Sequence, residues 1–322
     1  MLRRPLLPYD MFDVERSAQE ARRFERMENI YHRGQALAWE GRDVLGELVK
    51  KHGGVKIPAH QAEAVRAVYG PILWGELAAW KIAAQLADRI EPLEAKLAAT
   101  SQAHDEARHF YVMHDWLKLA IGDIPRSINR PTEEMLGAVL TTPSLAKKVV
   151  GMQLQIETTA LTIFQASREA GFCPVLAELL VYFEKDEARH VGLGTQYLPT
   201  LVKDMNVAER LEFMGFQFKV ILWSMGGLRA MEPHLRTLGI DPRRVLTLAK
   251  SKQEMVYNEL WDLAPGTKTK LGEVLSHMVE ATAEAFWPNE NTPKTLRGRV
   301  TSVWNTLLHG LPTVPTHIEP PN

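Results

Sequence analysis

The chain has 322 residues, 45% of them apolar, which is ample for a sizeable core, and 38 basic against 39 acidic residues leave a formal charge of −1. That balance gives no reason to expect a nucleic acid or an anionic membrane surface as partner. The single cysteine, Cys173, excludes a disulfide framework, a CxxC pair and a cysteine-based zinc or iron–sulfur site.

The opening MLRRPLLPYDMFDVER carries no apolar stretch of the length a signal peptide needs. No later run reaches the roughly 18–20 apolar residues of a membrane span, so a cytoplasmic protein without a membrane partner is expected. Ala, Leu, Glu, Lys, Arg and Met fill long segments, and no alternation lasts long enough to argue a strand; the chain is expected to be helical nearly throughout.

In chain order, a charged helical segment runs from Val14 to Lys51 and ends at Gly53-Gly54. A long helical stretch follows Pro58, with Gly70-Pro71 expected to break or restart it. Glu91-Pro92 marks a turn, Gly122-Asp123-Ile124-Pro125 closes the next helix, and a Pro- and Asn-containing connection crosses over from about 123 to 142. Thr142-Pro143 has the form of an N-cap with proline at the first helical position. The helix after it reaches the turn Gly171-Phe172-Cys173-Pro174, and another reaches Leu198-Pro199. Three or four more helices fill 206–310, ahead of an irregular Pro-rich tail. The stretch LEFMGFQFKVILWSMGGLRAM (211–231), apolar around most of its circumference, suits burial against other helices or a homodimer interface.

One word occurs twice: Asp105-Glu106-Ala107-Arg108-His109 returns 81 residues later as Asp186-Glu187-Ala188-Arg189-His190. Thirty residues before Glu106 stands Glu76, and thirty before Glu187 stands Glu157. A helical hairpin sets two residues level when its turn lies midway. The midpoints, 91 and 172, fall on Glu91-Pro92 and inside Gly171-Phe172-Cys173-Pro174. Glu76 is the only charged residue between Arg66 and Lys81, and Glu157 the only one between Lys148 and Arg168. A lone carboxylate in an apolar helix is costly unless something compensates its desolvation. Glu and His at i and i+3 share one helical face. Four helices can thus direct Glu76, Glu106, His109, Glu157, Glu187 and His190 into one interior. Four ionised carboxylates there would be driven to take up protons. Two divalent cations would balance them, with neutral imidazoles completing the shell.

One Glu from each of two helices and a Glu-x-x-His from each of the other two resembles the ferritin-like di-iron carboxylate superfamily, over about residues 60–200. The resemblance implies an all-α, ferritin-like four-helix bundle of two helix-hairpin repeats. It divides a single domain, 1–322, into an N-terminal helical extension (1–57), the di-metal bundle (58–204) and further helices with a Pro-rich tail (205–322). It implies two Fe ions as cofactor, with an Mn/Fe pair compatible with the same ligands. It also suggests that Asp105 and Asp186 each accept a hydrogen bond from a ligand histidine of the opposite repeat, with Arg108 and Arg189 pairing with those carboxylates. From the residues alone, surface charge competes with that reading. His104 and His114 have no counterpart at Lys185 and Thr195 and read as helix-surface residues.

Within the superfamily, the one cysteine argues against the rubredoxin module of rubrerythrin-like proteins. The 120 or so residues after the bundle argue against a ferritin. Ribonucleotide reductase small subunits place a radical tyrosine where this chain has Met113, with Tyr111 facing elsewhere. Arylamine N-oxygenases place a third histidine where Phe183 stands. An oxidase or oxygenase remains. The resemblance implies dioxygen activation at the metals and oxidation of a small, apolar or aromatic-bearing organic substrate, with a ferroxidase or peroxide scavenger as the alternative. No flavin or nicotinamide fingerprint is present, so an external electron donor is implied: a separate reductase, a small electron carrier or the substrate itself. Trp80, Gln102, Met113, Leu161, Phe183 and Gly194, one turn from the ligands, are expected to line a mostly apolar pocket or to be plain core. Gly192 and Gly194 either leave room for oxygen or substrate or allow close helix packing.

Overall fold

Capping chemistry sets several of the boundaries. The computed structural model describes residues 14–263, 270–288 and 292–309; residues 1–13 and the Pro-rich tail, expected to be irregular, lie outside the described residues. The charged N-terminal segment forms two helices, α1 (Val14–Ala36) and α2 (Gly41–His52). The Glu40 side chain accepts from Asp43 N to start α2, and Gly53, at φ 66°, ends it in a left-handed conformation that favours glycine.

The first hairpin is α3 (Ala62–Arg89) and α4 (Leu93–Ile121), joined at Glu91-Pro92 as the midpoint argument requires. The break expected at Gly70-Pro71 is absent: α3 runs through it. Proline removes one helical hydrogen bond, but residues 68–73 are buried on every side, and that packing outweighs the loss. Gly70 admits the connection after α4, since a Cβ there would lie 2.8 Å from Pro125 Cβ.

The crossover contains a helix of its own, α5 (Arg130–Thr141), started by the Asn129 side chain accepting from Thr132 N. Thr142 is not the N-cap expected of it. It closes α5, and Ser144, accepting from Lys147 N, caps α6 (Leu145–Val149). The hydroxyl nearer the first free N–H groups wins the capping role. A π-helical stretch, Val150–Ile156, follows and leads without a break into α7 (Glu157–Ala170). After the turn at Gly171, α8 (Pro174–Val202) continues past Pro199, again beyond the expected stop.

Helices α3, α4, α7 and α8 form the bundle, and no strand occurs among the described residues. Two apolar clusters fill it. One gathers Tyr69, Leu73, Trp116, Phe164 and Leu179; the other gathers Ile82, Leu86, Ala98, Met152 and Leu193. The six residues singled out by the repeat sit in the sequence gap between these blocks, so apolar packing closes the interior above and below them. Full burial of each such side chain stabilises by about 1.5–3 kcal/mol.

The remaining helices wrap the bundle. α1 and α2 pack on α4 and α8, and α9 (Val207–Thr237), opened by an Asn206–Glu209 capping box, packs on α3 and α5. Val220, Ile221, Met225 and Leu228 of α9 are buried, so most of the apolar stretch 211–231 serves intramolecular packing. α10 (Pro242–Leu263), α11 (Lys270–Phe286) and α12 (Leu296–His309) complete the described helices. Among the described residues, no helix is long and apolar enough to cross a membrane.

Candidate metal centre

Each bundle helix brings its part of the repeat to the same level. Glu76, Glu106, His109, Glu157, Glu187 and His190 are all buried, none more than 5% exposed. They form two overlapping groups, Glu76–Glu106–His109–Glu187 and Glu106–Glu157–Glu187–His190, whose ligand-type atoms lie within 4.8 Å of one another.

The distances divide the labour. His109 Nδ1 lies 3.1 Å from Glu187 Oε1 and 3.6 Å from both Glu76 Oε2 and Glu106 Oε2. His190 Nδ1 lies 2.7 Å from Glu187 Oε2, 3.1 Å from Glu106 Oε1 and 3.4 Å from Glu157 Oε1. Glu106 and Glu187 therefore offer one oxygen to each group, as bridging carboxylates would. Glu76 and Glu157 belong to one group each.

Behind the imidazoles the repeats cross. His109 Nε2 is 3.1 Å from Asp186 Oδ2, and His190 Nε2 is 3.3 Å from Asp105 Oδ2. Arg108 donates to Asp105 Oδ1 at 2.5 Å and to Asp186 Oδ2 at 2.8 Å; Arg189 donates to Asp186 Oδ1 at 2.6 Å and to Asp105 Oδ2 at 3.1 Å. Two carboxylates and two guanidiniums thus form a closed, charge-neutral ring across the α4–α8 interface. With Nε2–H donated to an aspartate, each histidine turns the lone pair of Nδ1 toward the glutamates.

Those lone pairs face acceptors, which is the fit test for a cation. Glu106 Oε2, Glu187 Oε1 and His109 Nδ1 are buried without a hydrogen-bond partner among the described residues. Left to protons alone, the cluster shows the strain in its titration. Burial and the neighbouring carboxylates push Glu76 up to about 8 and Glu157 well above the carboxylate range. Burial alone would lower both histidines, but the surrounding glutamates and aspartates outweigh it and hold them well above their ordinary value. Glu106 resists its own burial because both histidines draw it below the usual range. Protons here take the place of positive charge that two cations could supply to the donor set. Four carboxylates and two imidazoles suit two hard or borderline divalent cations, such as Fe or Mn.

Two groups near the site escaped the sequence reading. Trp39, in the break between α1 and α2, donates Nε1–H to Asp186 Oδ2 at 2.8 Å and lies under the Arg108 guanidinium, 4.6 Å from ring centroid to Cζ. No local pattern marks it, because its partners are far away in sequence. Gln153, in the π stretch, donates to Gln102 Oε1 at 2.7 Å, and Gln102 donates to Glu157 Oε1 at 2.7 Å and to Glu106 Oε1 at 3.1 Å. The available signal was spacing, since Gln102 and Gln153 each precede a glutamate of the cluster by four residues, one helical turn.

The expected pocket does not assemble as drawn. Trp80 is 39% exposed, on the outer side of α3, where its ring lies near Phe110; it does not line the interior. Leu161 is half-buried, and Met113 is fully buried in the apolar block beyond His109. Phe183 stacks on His109, with ring centroids 4.3 Å apart and planes 17° apart. Gly194 serves close packing: a Cβ there would stand 2.5 Å from Gln153 Cβ. Gly192 has only Ile30 nearby, at 3.7 Å. Gln102 borders a gap beside His190, shared with Ile30, Ala98, Ser101 and Leu193, that is too tight to admit water. His104 is exposed and His114 partly so, as expected of surface residues.

No protein-family profile and no curated protein sequence matches the chain. Solved structures do. An R2-like ligand-binding oxidase with aerobically reconstituted Mn/Fe cofactor superposes with TM-score 0.60 at 16% identity, over 79% of this chain and 98% of the other. Two of its single-residue variants, with the same cofactor, give 0.60 over 79% and 99%, and 0.57 over 72% and 93%, both at 16% identity. Likeness at this level of identity speaks for the fold alone, an all-α ferritin-like bundle.

Proposed function

We propose that this chain is a dinuclear-metal oxidoreductase that activates dioxygen to oxidise a small, apolar or aromatic-bearing organic substrate. Glu76, Glu106, His109, Glu157, Glu187 and His190 hold two irons, or one manganese and one iron. The observation that carries the reading is the convergence of four buried carboxylates and two imidazoles among which Glu106 Oε2, Glu187 Oε1 and His109 Nδ1 have no hydrogen-bond partner among the described residues. Support also comes from a fold shared with oxidases whose structures contain an Mn/Fe pair. When bound, such a pair supplies the redox chemistry toward dioxygen.

The chain's own residues supply the setting. Glu106 and Glu187, which offer one oxygen to each group, would help hold both metals, while Glu76 and Glu157 would each serve one. Asp186 and Asp105 hold the Nε2 proton of His109 and His190, so that Nδ1 stays free to ligate. Arg108 and Arg189 each donate to both aspartates and close the ring behind the imidazoles. The two apolar blocks exclude water and keep electrostatic interactions in the site strong. Electrons come from an external donor, as the chain carries no flavin or nicotinamide fingerprint.

One observation favours a second reading, a ferroxidase or peroxide scavenger with no organic substrate: the gap beside His190 has no room for an organic substrate. The same experiment separates the two. Apoprotein is titrated anaerobically with Fe(II), then mixed rapidly with dioxygen while visible absorbance is recorded. Saturation near two irons per chain with a transient coloured species that persists until an organic substrate is added supports the oxidase. Repeated turnover of Fe(II) alone supports the second reading. Absence of binding refutes both.

A further inference from the structure

The two metal positions are not equivalent, and one pair of amides makes the difference. At corresponding places in the repeat, offset by 81 residues, the first half carries Gln102 where the second carries Phe183, and the second carries Gln153 where the first carries Ile72. On one side of the cluster, therefore, Phe183 stacks on His109, and among the described residues no side-chain amide hydrogen-bonds Glu76. On the other, Gln102 reaches the oxygens that face His190.

The contacts fix the direction of this link. Both hydrogens of the Gln102 amide are committed, one to Glu157 Oε1 at 2.7 Å and one to Glu106 Oε1 at 3.1 Å. Those are the two oxygens that converge on His190 Nδ1, whereas Glu106 turns Oε2 toward His109. The reverse amide orientation would set an oxygen against two carboxylates. Gln153 enforces the favourable one by donating Nε2–H to Gln102 Oε1 at 2.7 Å. Gln153 itself is wholly buried, and it fits against α8 only because residue 194 has no side chain.

Resting on the metal reading above, we propose that Gln102, oriented by Gln153, is a positioning residue for the metal held by Glu106, Glu157, Glu187 and His190. It holds the two carboxylate oxygens together where like charges would otherwise part. Each oxygen keeps a further lone pair for the cation. The position beside His109 has no such support, so the two positions respond differently to loss of the amides.

The test is anaerobic titration of full-length apoprotein with Mn(II), followed by calorimetry and by the EPR signal of free Mn(II). Native protein is expected to bind two Mn(II) per chain. Gln102→Leu keeps the volume and removes the donors. It is expected to leave one step near native and to weaken the other about tenfold to hundredfold, as loss of an outer partner of a metal ligand does. Gln153→Leu is expected to weaken the same step by less, and Gly194→Ala, by displacing Gln153, to act in the same direction. Equal weakening of both steps in Gln102→Leu, no change, or tighter binding overturns the proposal. If Gln102→Leu does not fold, Gln153→Leu decides on the same criterion. Should native protein bind no Mn(II), the metal reading fails and the proposal fails with it. Two native steps that Gln102→Leu and Gln153→Leu leave unaltered refute only the role of the amides.

Discussion

Asp186→Asn probes the support behind the cluster without replacing a proposed ligand. Four donors converge on this carboxylate: Arg108 and Trp39 Nε1 at 2.8 Å and His109 Nε2 at 3.1 Å on Oδ2, and Arg189 at 2.6 Å on Oδ1. Each hydrogen bond to a charged group contributes about 1.5–3 kcal/mol, but contributions sharing one acceptor do not add. Asparagine keeps one carbonyl oxygen, replaces the other with an N–H pair facing guanidinium or indole donors, and removes the charge balancing two buried arginines. Breaking a buried ion pair from one side costs about 3–5 kcal/mol, which is the expected loss of stability in urea unfolding of the apoprotein. The sign with pH follows from linkage. Burial opposes ionisation of Asp186, but His109, Arg189 and Trp39 outweigh it and hold the carboxyl well below its ordinary value. Its contribution is therefore present above the unfolded value of about 3.9 and shrinks as pH falls below it. The gap between native and variant should narrow only at acid pH. A loss under about 1 kcal/mol at pH 7, or a gap that does not narrow in acid, would refute the idea that the Asp–Arg ring is an energetic unit.

Three further outcomes are expected. Glu157→Ala should bind one metal per chain instead of two by metal analysis, while its apoprotein is at least as stable as native apoprotein, because a buried, repelled carboxylate is gone. Metal affinity should rise with pH through about 8: burial holds Glu76 protonated up to that value, Glu157 and both histidines are also held above their ordinary values, metal must displace these protons, and calorimetry in buffers of different ionisation enthalpy would register the release. Gly151→Ala should lose about 1–3 kcal/mol in thermal unfolding despite alanine's better helix propensity, since its Cβ would stand 2.6 Å from Val139 Cγ2; an unchanged or higher Tm would contradict the tight α5 contact.

Much of the site was written locally. Helical spacing alone puts Glu106 on one face with His109 and Glu187 with His190, and a hairpin needs only a breaker midway to set Glu76 level with Glu106. Both breakers stand in the sequence, so the bundle and its six polar residues followed from short-range rules that act within one helix or one turn. Where tertiary packing competes with a local signal, the outcome passed out of reach. Gly70-Pro71 reads as a break, yet burial of the surrounding turns keeps α3 continuous. Thr142 has the chemistry of an N-cap but lost that role to Ser144 once α5 formed beside it. Trp80 lies one turn from Glu76 and still faces outward, with its ring beside Phe110. Trp39 reaches Asp186 across 147 residues and Gln153 reaches Gln102 across 51, distances over which no sequence periodicity carries information. Sequence by itself determined which residues could hold two cations; only the packing of α1, α8 and the π stretch decided which neighbours hold those residues in place, since such contacts depend on how surfaces meet rather than on how a helix turns.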